Sequence, residues 1–339
     1  MPQSIRINPC ADPVTPERGD LRVQVGIDPA SQTELVALVR PRAATDEMRS
    51  PPATALDWSL PFSGLGGSAH SEHWQVVGPI QTPPDAAGQG RARISGELIF
   101  GEIDCVLGDD IEAITARAYA ALLERAQTAG CPHLIRIWNF LPAITDGVGD
   151  AERYRRFCVG RARAIPVEPA TGYAASTAIG IPYPAQHLKL AWIAARRPGV
   201  PIENPRQVSA WEYPRDYGPV APGFSRAMLL DWLKPAVLLV SGTASVVGHA
   251  SRHADVLEQL GEALANMGAV LERAAARLGT TARWSERSIL RAYLRDPAHA
   301  PAVAAALRQT LGAEVPFMLL HGEICRRELA IELEAVHHF

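Results

Sequence analysis

The sequence has no excess of charge of either sign, and this argues against one group of partners. Its 339 residues include 33 lysines and arginines against 36 aspartates and glutamates, which gives a formal net charge of -3. Proteins that hold nucleic acid or an anionic membrane surface generally present a basic patch or stripe. We therefore expect neither nucleic acid nor a membrane as a partner.

Long hydrophobic runs are also missing. No uninterrupted apolar stretch approaches the roughly 18 residues that a membrane-spanning helix needs. Residues Met1 to Pro13 include Arg6 and Asp12 and lack the apolar centre of a secretory signal peptide. With 47% hydrophobic and 20% charged residues, the composition is that of an ordinary soluble globular protein, which we expect in the cytoplasm.

Cysteine pairs and metal-binding motifs are absent as well. The five cysteines are odd in number and scattered, and none forms a Cys-x-x-Cys pair: Cys10, Cys105, Cys131, Cys158 and Cys325. This spacing argues against a disulfide framework or a zinc cluster. His249 and His253 have His-x-x-x-His spacing, but the adjacent glutamate of a zinc-protease helix and an obvious third ligand are missing. We expect no metal.

The signature loops of several enzyme classes are not found. The sequence contains no G-x-G-x-x-G, no G-x-x-x-x-G-K-[ST] and no G-x-S-x-G. Their absence argues against a dinucleotide-binding loop, a P-loop and an α/β-hydrolase. The glycine-bounded segment 242–248 follows a predicted strand but has neither phosphate-loop pattern, and we interpret it as a turn.

Hydrophobic periodicity predicts the elements that are present. Apolar residues recur at helical spacing over 111–129, 255–278 and 300–311. Residues 150–163 are predicted to be helical at first and to turn at Gly160. Strands are predicted over 21–27, 35–39, 74–77, 92–100, 134–140, 188–195, 236–241, 288–294, 315–320 and 329–333.

This order of elements predicts the fold class. Strands interspersed with long helices favour an α+β fold, with helices on one face of a mixed sheet. The second half of the chain follows the order β–α–β–α–β–β, and the first half contains a shorter strand–helix–strand series. We expect two domains, with a boundary between residues 145 and 235.

The segment 199–224 is too long for a plain connection. Loops of this length are usually functional or disordered. Four aromatic residues favour an ordered loop that contributes to a site: Trp211, Tyr213, Tyr217 and Phe224. A proline-stiffened surface loop is the alternative.

Arginines and tyrosines in structured segments are the candidate binding residues. Arg161 and Arg163 have small neighbours, and Tyr154 lies two helical turns before Arg161. The planar fork of arginine suits bidentate binding of carboxylates, although solvated arginines would show the same pattern. Together with the aromatic loop and one glutamate, these residues describe a pocket for a small dianion or dicarboxylate.

Glu332 is the candidate glutamate. From Leu329 to Leu333 apolar and other residues alternate, which is typical of a half-buried strand. Its carboxylate could be solvated or could point into a cleft. It can serve as a general acid near neutral pH only if burial raises its pKa.

Several blocks of the sequence, in the same order, resemble the chorismatases. They are residues 136–142, 152–164, 203–210, 213–219, 241–245 and the C-terminal Gly-Glu-Ile-Cys-Arg-Arg-Glu-Leu. The resemblance implies two fused units of the trimeric enamine-deaminase (YjgF-like) type in a pseudo-trimeric α+β body. Residues 1–90 would form an irregular, β-rich N-terminal extension. Residues 91–235 would form a first, degenerate unit with the site loops, and 236–339 the second unit.

The resemblance also implies a reaction, the cleavage of chorismate without a cofactor, in which the enolpyruvyl group leaves as pyruvate. Tyr154 with Arg161, and Tyr213 with Arg226, would each hold one carboxylate region of the substrate. Glu332 would be the acid/base that protonates the enolpyruvyl methylene. The enzyme would act as a monomer or as a homo-oligomer.

Family members differ in product, and Cys325 indicates the branch. The branch that forms 3-hydroxybenzoate, in some members with 4-hydroxybenzoate, resembles this chain in a cysteine seven residues before the glutamate. The hydrolytic branch, which forms 3,4-dihydroxycyclohexa-1,5-diene carboxylate, is the alternative, and Cys325 could also simply pack. Trp211 and Glu323 depart from the family pattern, while Arg163 and Trp211 are further candidates for the site.

Two other functions stay open at this point. An imine or enamine deaminase would use an arginine on a strand, for which Arg291 and Arg295 are the candidates. The block around Tyr154 has no counterpart in such enzymes. A small-molecule binding module would keep its function when Glu332 is replaced.

Overall fold

The structure, a computed structural model, describes residues 21–24, 33–42, 52–83, 90–108, 110–165, 173–182 and 184–339. Residues 25–27 of the first predicted strand lie outside this range, as does Cys10. The described strands are β1 (Leu21–Gln24), β2 (Thr33–Arg42), β3 (Leu56–Gly67), β4 (Glu72–Val77), β5 (Arg91–Ser95), β6 (Leu98–Val106), β7 (His133–Pro142), β8 (Ala175–Ile181), β9 (His187–Ala195), β10 (Val200–Ile202), β11 (Ala227–Leu230), β12 (Val237–Ala244), β13 (Val246–Val247), β14 (Ala250–Ser251), β15 (Ser288–Leu294), β16 (Phe317–His321), β17 (Glu323–Ile324) and β18 (Ile331–His338). The described α-helices are α1 (Ile111–Thr128), α2 (Arg153–Ala164), α3 (Val256–Arg277) and α4 (Ala300–Leu311).

The described strands form two large sheets and one small hairpin. The ten-stranded sheet has the order β1-β4-β2-β3-β16-β15-β18-β12-β11-β10, and the six-stranded sheet has the order β17-β8-β7-β9-β6-β5. β13 and β14 pair only with each other. Both large sheets are mixed, because β15 and β16, β7 and β8, and β2 and β3 are parallel among otherwise antiparallel strands.

Two segments of the chain share one connectivity. The first runs β5-β6-α1-β7-α2-β8-β9 and the second runs β11-β12-α3-β15-α4-β16-β18. Each segment contains five of these strands. The first strand pairs with the second, the second with the fifth, and the fifth with the third, all antiparallel, while the third pairs in parallel with the fourth. The predicted α+β class with two fused units is therefore confirmed.

The N-terminal strands repeat part of the same connectivity. β4 lies between β1 and β2, and β2 pairs in parallel with β3. In the same way, β9 lies between β6 and β7, and β7 pairs in parallel with β8. The described residues of this segment contain no helix. Through β3 and β16, where Gly67 is opposite Met318, these strands extend the sheet of the second unit. The same strand order thus occurs three times in the described chain.

Three clusters of buried side chains form the core. One lies where the two sheets face each other and includes Trp58, Trp74 and Trp138, whose ring centroids are 5.6 to 6.0 Å apart. The second lies under α3 and α4, and the third under α1 and α2. Because the first cluster takes residues from all three parts of the chain, their separation would expose it to water.

The helices predicted over 111–129, 255–278 and 300–311 are confirmed. The Asp110 side chain accepts a hydrogen bond from the Ala113 N–H at 3.0 Å, and Asp255 accepts one from the Leu257 N–H at 2.8 Å. These carboxylates satisfy N–H groups that an α-helix leaves without partners at its start. The boundaries therefore follow from short polar residues directly before an apolar stripe.

Helix α2 continues through Gly160, so the turn predicted there is wrong. At this residue α2 crosses α1. A Cβ on Gly160 would lie 2.4 Å from the carbonyl oxygen of Glu112 and 2.8 Å from the Cβ of Thr115. The glycine is therefore required by the close approach of two helices, and α2 ends only at Ala164.

Three strand predictions need correction. Residues 92–100 form two strands, because the chain turns at Gly96 with φ of 56°. β18 continues to His338, and both of its faces are buried, so it is not half-buried. The segment 242–248 is not a plain turn, because β12 extends to Ala244 and β13 follows.

Seven of the described strands were not predicted: β3, β8, β10, β11, β13, β14 and β17. The two longest are β3 and β8. β3 contains a proline and several glycines, and β8 consists largely of small residues. Prolines, glycines and small residues are all weak strand formers, so tertiary packing rather than local preference places these two segments in the sheets.

Candidate active site

A cavity opens between the two helix-bearing units. Its walls come from the start of α2, the loop 207–226, strand β12 and the chain from Cys325 to Glu332. The aromatic loop contributes Tyr213, Tyr217 and Phe224 to the wall.

Glu332 lies in the wall of this cavity and is buried, with 5% of its surface exposed. Because side chains alternate along a strand, Glu332 and Glu334 lie on the same face of β18. Burial is the largest cause that raises the pKa of Glu332, to about 8, and the Glu334 carboxylate adds to it. The cations of Arg136, Arg326 and Arg226 oppose this rise. At neutral pH the carboxyl is therefore protonated and can donate a proton.

Gly242 provides the space that the Glu332 carboxyl occupies. A Cβ at this position would lie 2.0 Å from Oε1 of Glu332. The Gly242 N–H donates a hydrogen bond to Oγ1 of Thr177 at 2.8 Å, which fixes this part of β12. The register between β12 and β18 shifts between Val240 and Thr243, just where this contact is made.

Arg226 and Tyr213, which the resemblance implied to hold one carboxylate region, lie together in the wall. The Arg226 guanidinium donates hydrogen bonds to the Tyr213 hydroxyl and to the Val208 carbonyl, each at 2.8 Å. Its Nε is buried and has no hydrogen-bond partner among the described residues. The Arg226 side chain also lines the cavity, and the planar fork of its guanidinium suits a carboxylate there.

Arg326 is a second cavity arginine, and the sequence reasoning missed it. Its guanidinium carbon lies 4.1 Å from the centroid of the Tyr217 ring and 5.3 Å from that of Tyr213. It donates to the His249 carbonyl at 2.9 Å. The neighbouring Arg327 instead donates to main-chain carbonyls of the 145–147 loop. The doubled arginine was the signal, but the sequence does not tell which one faces the cavity.

Tyr154 and Cys325 also line the cavity. Burial is the main cause that raises the pKa of both groups well above their usual ranges, and the nearby Glu332 carboxyl adds to the rise. Both are therefore neutral at pH 7, one as a phenol and the other as a thiol. They can donate or accept hydrogen bonds but carry no charge to the substrate.

Three predicted site residues lie outside the cavity wall. Arg161 is buried, lies with its guanidinium carbon 5.6 Å from the Tyr119 ring centroid and donates to the Gly223 carbonyl. Arg163 forms an ion pair with Glu112 on α1 at 2.5 Å. Trp211 packs on Tyr173, with ring centroids 5.4 Å apart. Arg161 thus contacts the loop that carries Phe224 and Arg226 rather than the cavity itself.

The strand arginines considered for a deaminase are used elsewhere. Arg291 is held by Glu72 and Glu334, and Arg295 donates to main-chain carbonyls, including that of Leu329 at 3.0 Å. Neither side chain lines the cavity. The geometry therefore does not favour a deaminase at this site.

No group of three or more histidine, cysteine, aspartate and glutamate side chains is placed to hold a metal ion within the described ranges. Among the helices that the structure describes, none is both long and apolar enough to cross a membrane.

The chain resembles known proteins in sequence over most of its length. The family described as chorismatase FkbO/Hyg5-like, N-terminal, matches residues 72–194. The chain is 33% identical over 280 residues to a protein named chorismatase from Streptomyces rapamycinicus, and the match covers 78% of this chain and 81% of that protein. It is 34% identical over 233 residues to a protein of Streptomyces hygroscopicus named 3-hydroxybenzoate synthase, over 66% of this chain and 68% of that protein.

A solved structure agrees with these sequence matches. A crystal structure of a chorismatase superposes with a TM-score of 0.78 at 26% identity, and the superposition covers 94% of this chain and 97% of that one. The long matches in sequence and the near-complete match in structure show that the chain belongs to the chorismatase family of enzymes.

Proposed function

We propose that this enzyme cleaves chorismate to 3-hydroxybenzoate and pyruvate without a cofactor, with Glu332 as the proton donor. The observation that carries the proposal is a buried, protonated carboxyl in the wall of a cavity that is also lined by Arg155, Arg226 and Arg326. Chorismate has two carboxylates, for which arginines are the preferred partners. The enolpyruvyl ether is a bond that proton transfer activates.

The arginines would orient the substrate. Arg226, with its unpartnered Nε, binds one carboxylate, and Arg326, stacked on Tyr217, binds the other. Tyr154 and Tyr213 supply neutral hydrogen-bond donors along the same wall. Arg161, which the family resemblance places against a carboxylate, acts through the loop it holds at Gly223.

The chemical step begins at Glu332. Its proton passes to the terminal methylene of the enolpyruvyl group, and the ether carbon takes on oxocarbenium character. The ring hydroxyl attacks this carbon, and its proton passes to the original ether oxygen as the bond between that oxygen and the carbon breaks, which leaves the phenol. The bond from the ring to the attacking oxygen then breaks, so pyruvate leaves with that oxygen as its carbonyl, and the ring loses a proton from carbon to become aromatic. That proton returns to Glu332, so chorismate divides into hydroxybenzoate and pyruvate with no net consumption of water.

Cys325 supports this branch over hydrolysis. Its neutral thiol lines the same wall as Glu332, and one relative in the comparison is named 3-hydroxybenzoate synthase. A half-buried thiol is weakly polar and narrows the space beside the acid, which disfavours a water molecule as the nucleophile. Hydrolysis to the cyclohexadiene diol is the second candidate, because two relatives at 33% and 31% identity are named only chorismatase.

Product analysis tests the proposal. Purified protein is incubated with chorismate, and the products are separated by chromatography, with Glu332→Gln as the control. We expect 3-hydroxybenzoate and pyruvate in equal amounts, with 4-hydroxybenzoate at most as a minor product. The diol as sole product would replace the aromatising reaction by hydrolysis. Failure to consume chorismate would overturn both.

A further inference from the structure

We propose that a buried chain of alternating charges, Glu72–Arg291–Glu334–Arg136, is a positioning device that places the acidic proton on Glu332 and not on Glu334. The inference rests on the proposed role of Glu332 as proton donor and concerns how the fold provides that role. None of the four residues lines the cavity that has Glu332 in its wall. Their contribution therefore acts through Glu332.

The chain of charges crosses all three parts of the molecule. Arg291 on β15 makes a two-pronged ion pair with Glu72 on β4, with both N–O distances at 2.5 Å. It also reaches Glu334 on β18 at 2.9 Å. Glu334 in turn pairs with Arg136 on β7 at 2.5 Å. Each of the four side chains is at most 5% exposed.

Glu334 receives enough donors to hold a negative charge. Besides the two arginines, its oxygens accept hydrogen bonds from Thr177 at 2.5 Å, Tyr293 at 2.9 Å and Trp138 at 3.1 Å. A buried carboxylate with such partners has a lowered pKa, and that of Glu334 is lowered in spite of burial. By contrast, no side chain of the described residues donates a hydrogen bond to Glu332.

Charge balance then assigns the proton. The four charges of the chain sum to zero, so ionised Glu332 would add a negative charge beside Glu334 in a buried region. Two carboxylates in one such region cannot both ionise easily, and the better solvated one loses its proton first. Glu334 is the better solvated of the two by its hydrogen bonds. Glu332 therefore keeps its proton.

Other groups around Glu332 modify this balance without reversing it. Three arginine cations favour the ionised form of Glu332: Arg136 on β7, Arg226 in the loop before β11 and Arg326 in the loop before β18. Tyr154 on α2 and Cys325 are neutral neighbours. The two substrate carboxylates, one bound to Arg226 and the other to Arg326, would neutralise those two cations and strengthen the protonated state further.

Thr177 joins the same chain to the space beside Glu332. Its Oγ1 donates to Glu334 and accepts hydrogen bonds from Arg136 at 2.5 Å and from the Gly242 N–H at 2.8 Å. Gly242 is the residue that leaves room for the Glu332 carboxyl. One hydrogen-bonded cluster thus fixes both the negative charge beside Glu332 and the space that the Glu332 carboxyl occupies.

The first test is the pH dependence of kcat/KM for chorismate turnover in Glu334→Gln. The substitution removes the neighbouring charge and leaves two arginines undercompensated, so Glu332 should ionise at lower pH. We expect the alkaline decline of kcat/KM to move down by about one unit or more, which lowers kcat/KM about fivefold at pH 8. Near pH 5.5 the variant and the wild type should differ by less than about threefold.

Two further variants separate this effect from a loss of packing. Glu72→Gln, one charge further along the chain, should move the decline in the same direction but less. Glu102→Gln removes a buried carboxylate that pairs with Arg91 on the edge strand β5, and it should leave the decline in place. An unchanged decline in both Glu334→Gln and Glu72→Gln would overturn the proposal.

A measurement on the wild-type protein applies even where a variant fails to fold. Carbon-13 NMR of the glutamate carboxyl groups should show one group titrating near pH 8, absent in Glu332→Gln, and a buried group ionised down to below pH 4.5. No carboxyl titrating above pH 6.5 would overturn the inference. If the titration is found but Glu332→Gln turns over chorismate normally, the proposed function fails and the proton assignment stands.

Discussion

At the residue scale, the contact between Glu332 and Gly242 determines where the acid lies. The two residues are on neighbouring strands of one sheet, and the carboxyl occupies the place where any other residue would have a Cβ. The requirement for glycine is steric, because φ of Gly242 is not in the left-handed region. A single methyl group at this position is therefore sufficient to move the carboxyl.

Gly242→Ala should lower kcat for hydroxybenzoate formation by about 10- to 100-fold, because displacement of a reacting group by about 1 Å has effects of this size. KM should change by less than about threefold, since Arg226 and Arg326 are untouched. Steady-state kinetics with product analysis measure both. Gly268→Ala, where nothing lies within 4 Å of the added Cβ, is the control. An unchanged kcat in Gly242→Ala would show that the acid does not depend on this contact.

Arg326 and Arg327 are adjacent in the C-terminal motif but make different contacts, so one serves as the test of substrate binding and the other as its control. Arg326→Met should raise KM for chorismate by about 10- to 100-fold, because a hydrogen bond between charged groups contributes about 1.5 to 3 kcal/mol. Arg327→Met, which loses contacts to the 145–147 loop only, should change KM little. Equal effects of the two substitutions would contradict the assignment of Arg326 to the cavity.

At this scale the family resemblance named pairs of residues, and the structure shows which of their side chains are in contact. Tyr213 and Arg226, which the resemblance implied to hold one carboxylate region, are separated by 13 positions and are 2.8 Å apart. The resemblance, together with helical spacing from Tyr154, placed Arg161 at the other carboxylate region. Its guanidinium instead reaches the Gly223 carbonyl, a contact between segments far apart in sequence that helical spacing alone cannot anticipate.

At the element scale, the crossing of α1 and α2 positions the cavity wall that contains Tyr154. The helices approach closely at Gly160, where the main chain of one faces the main chain of the other. Sequence patterns predicted α1 correctly because its apolar stripe and its cap are local features. They placed a turn at Gly160 because a glycine within a helix is locally unfavourable, and only the neighbouring helix explains it.

Gly160→Ala should lower the free energy of unfolding by about 1 to 3 kcal/mol, the usual cost of overpacking. Urea unfolding monitored by circular dichroism measures the change. Gly261→Ala on α3 is the matched control, because the added Cβ meets nothing within 4 Å. The control should be neutral or stabilising by up to about 1 kcal/mol, as expected for alanine in a helix. Equal stability of the two variants would contradict the tight crossing.

At the scale of the whole molecule, three copies of one strand order surround a shared core, with the chain of buried charges within it. The family resemblance implied two of the copies as fused units, while the predicted elements gave only a shorter strand–helix–strand series in the first half of the chain. The third has no helix among its described residues, and its strand β3 is rich in weak strand formers, so its similarity emerges only from strand pairing. Long-range pairing of this kind has no local signature.

Buried titratable groups should make stability fall on both sides of a maximum near about pH 6. The pKa of Glu332 is raised to about 8, so its contribution is fully present below the pH at which an unfolded glutamate titrates and is lost as pH rises to about 8. Burial lowers the pKa values of His337 and His338 to about 4, so stability is lost as pH falls from 6.5 to about 4. Unfolding in urea between pH 4 and 9 measures the curve.

Replacement of the acid separates the two sides of this curve. Glu332→Gln, which resembles the protonated side chain, should abolish much of the decline between about pH 6 and 8 and leave the fall below about pH 4.5 in place. A decline of the same size in the variant would mean that Glu332 is ionised in the folded protein.

The central claim, that buried and protonated Glu332 cleaves chorismate, is tested most directly by the pH dependence of kcat/KM from pH 5 to 10. The account predicts a rate that falls about tenfold per pH unit above about pH 8, as the raised pKa of Glu332 requires. In Glu332→Gln, kcat/KM should be lower by about 10²- to 10⁴-fold below pH 8, and the decline above pH 8 should be absent. Glu258→Gln on the exposed face of α3 should behave as the wild type. A rate that rises through pH 8, or a Glu332→Gln variant with wild-type turnover, would contradict the account.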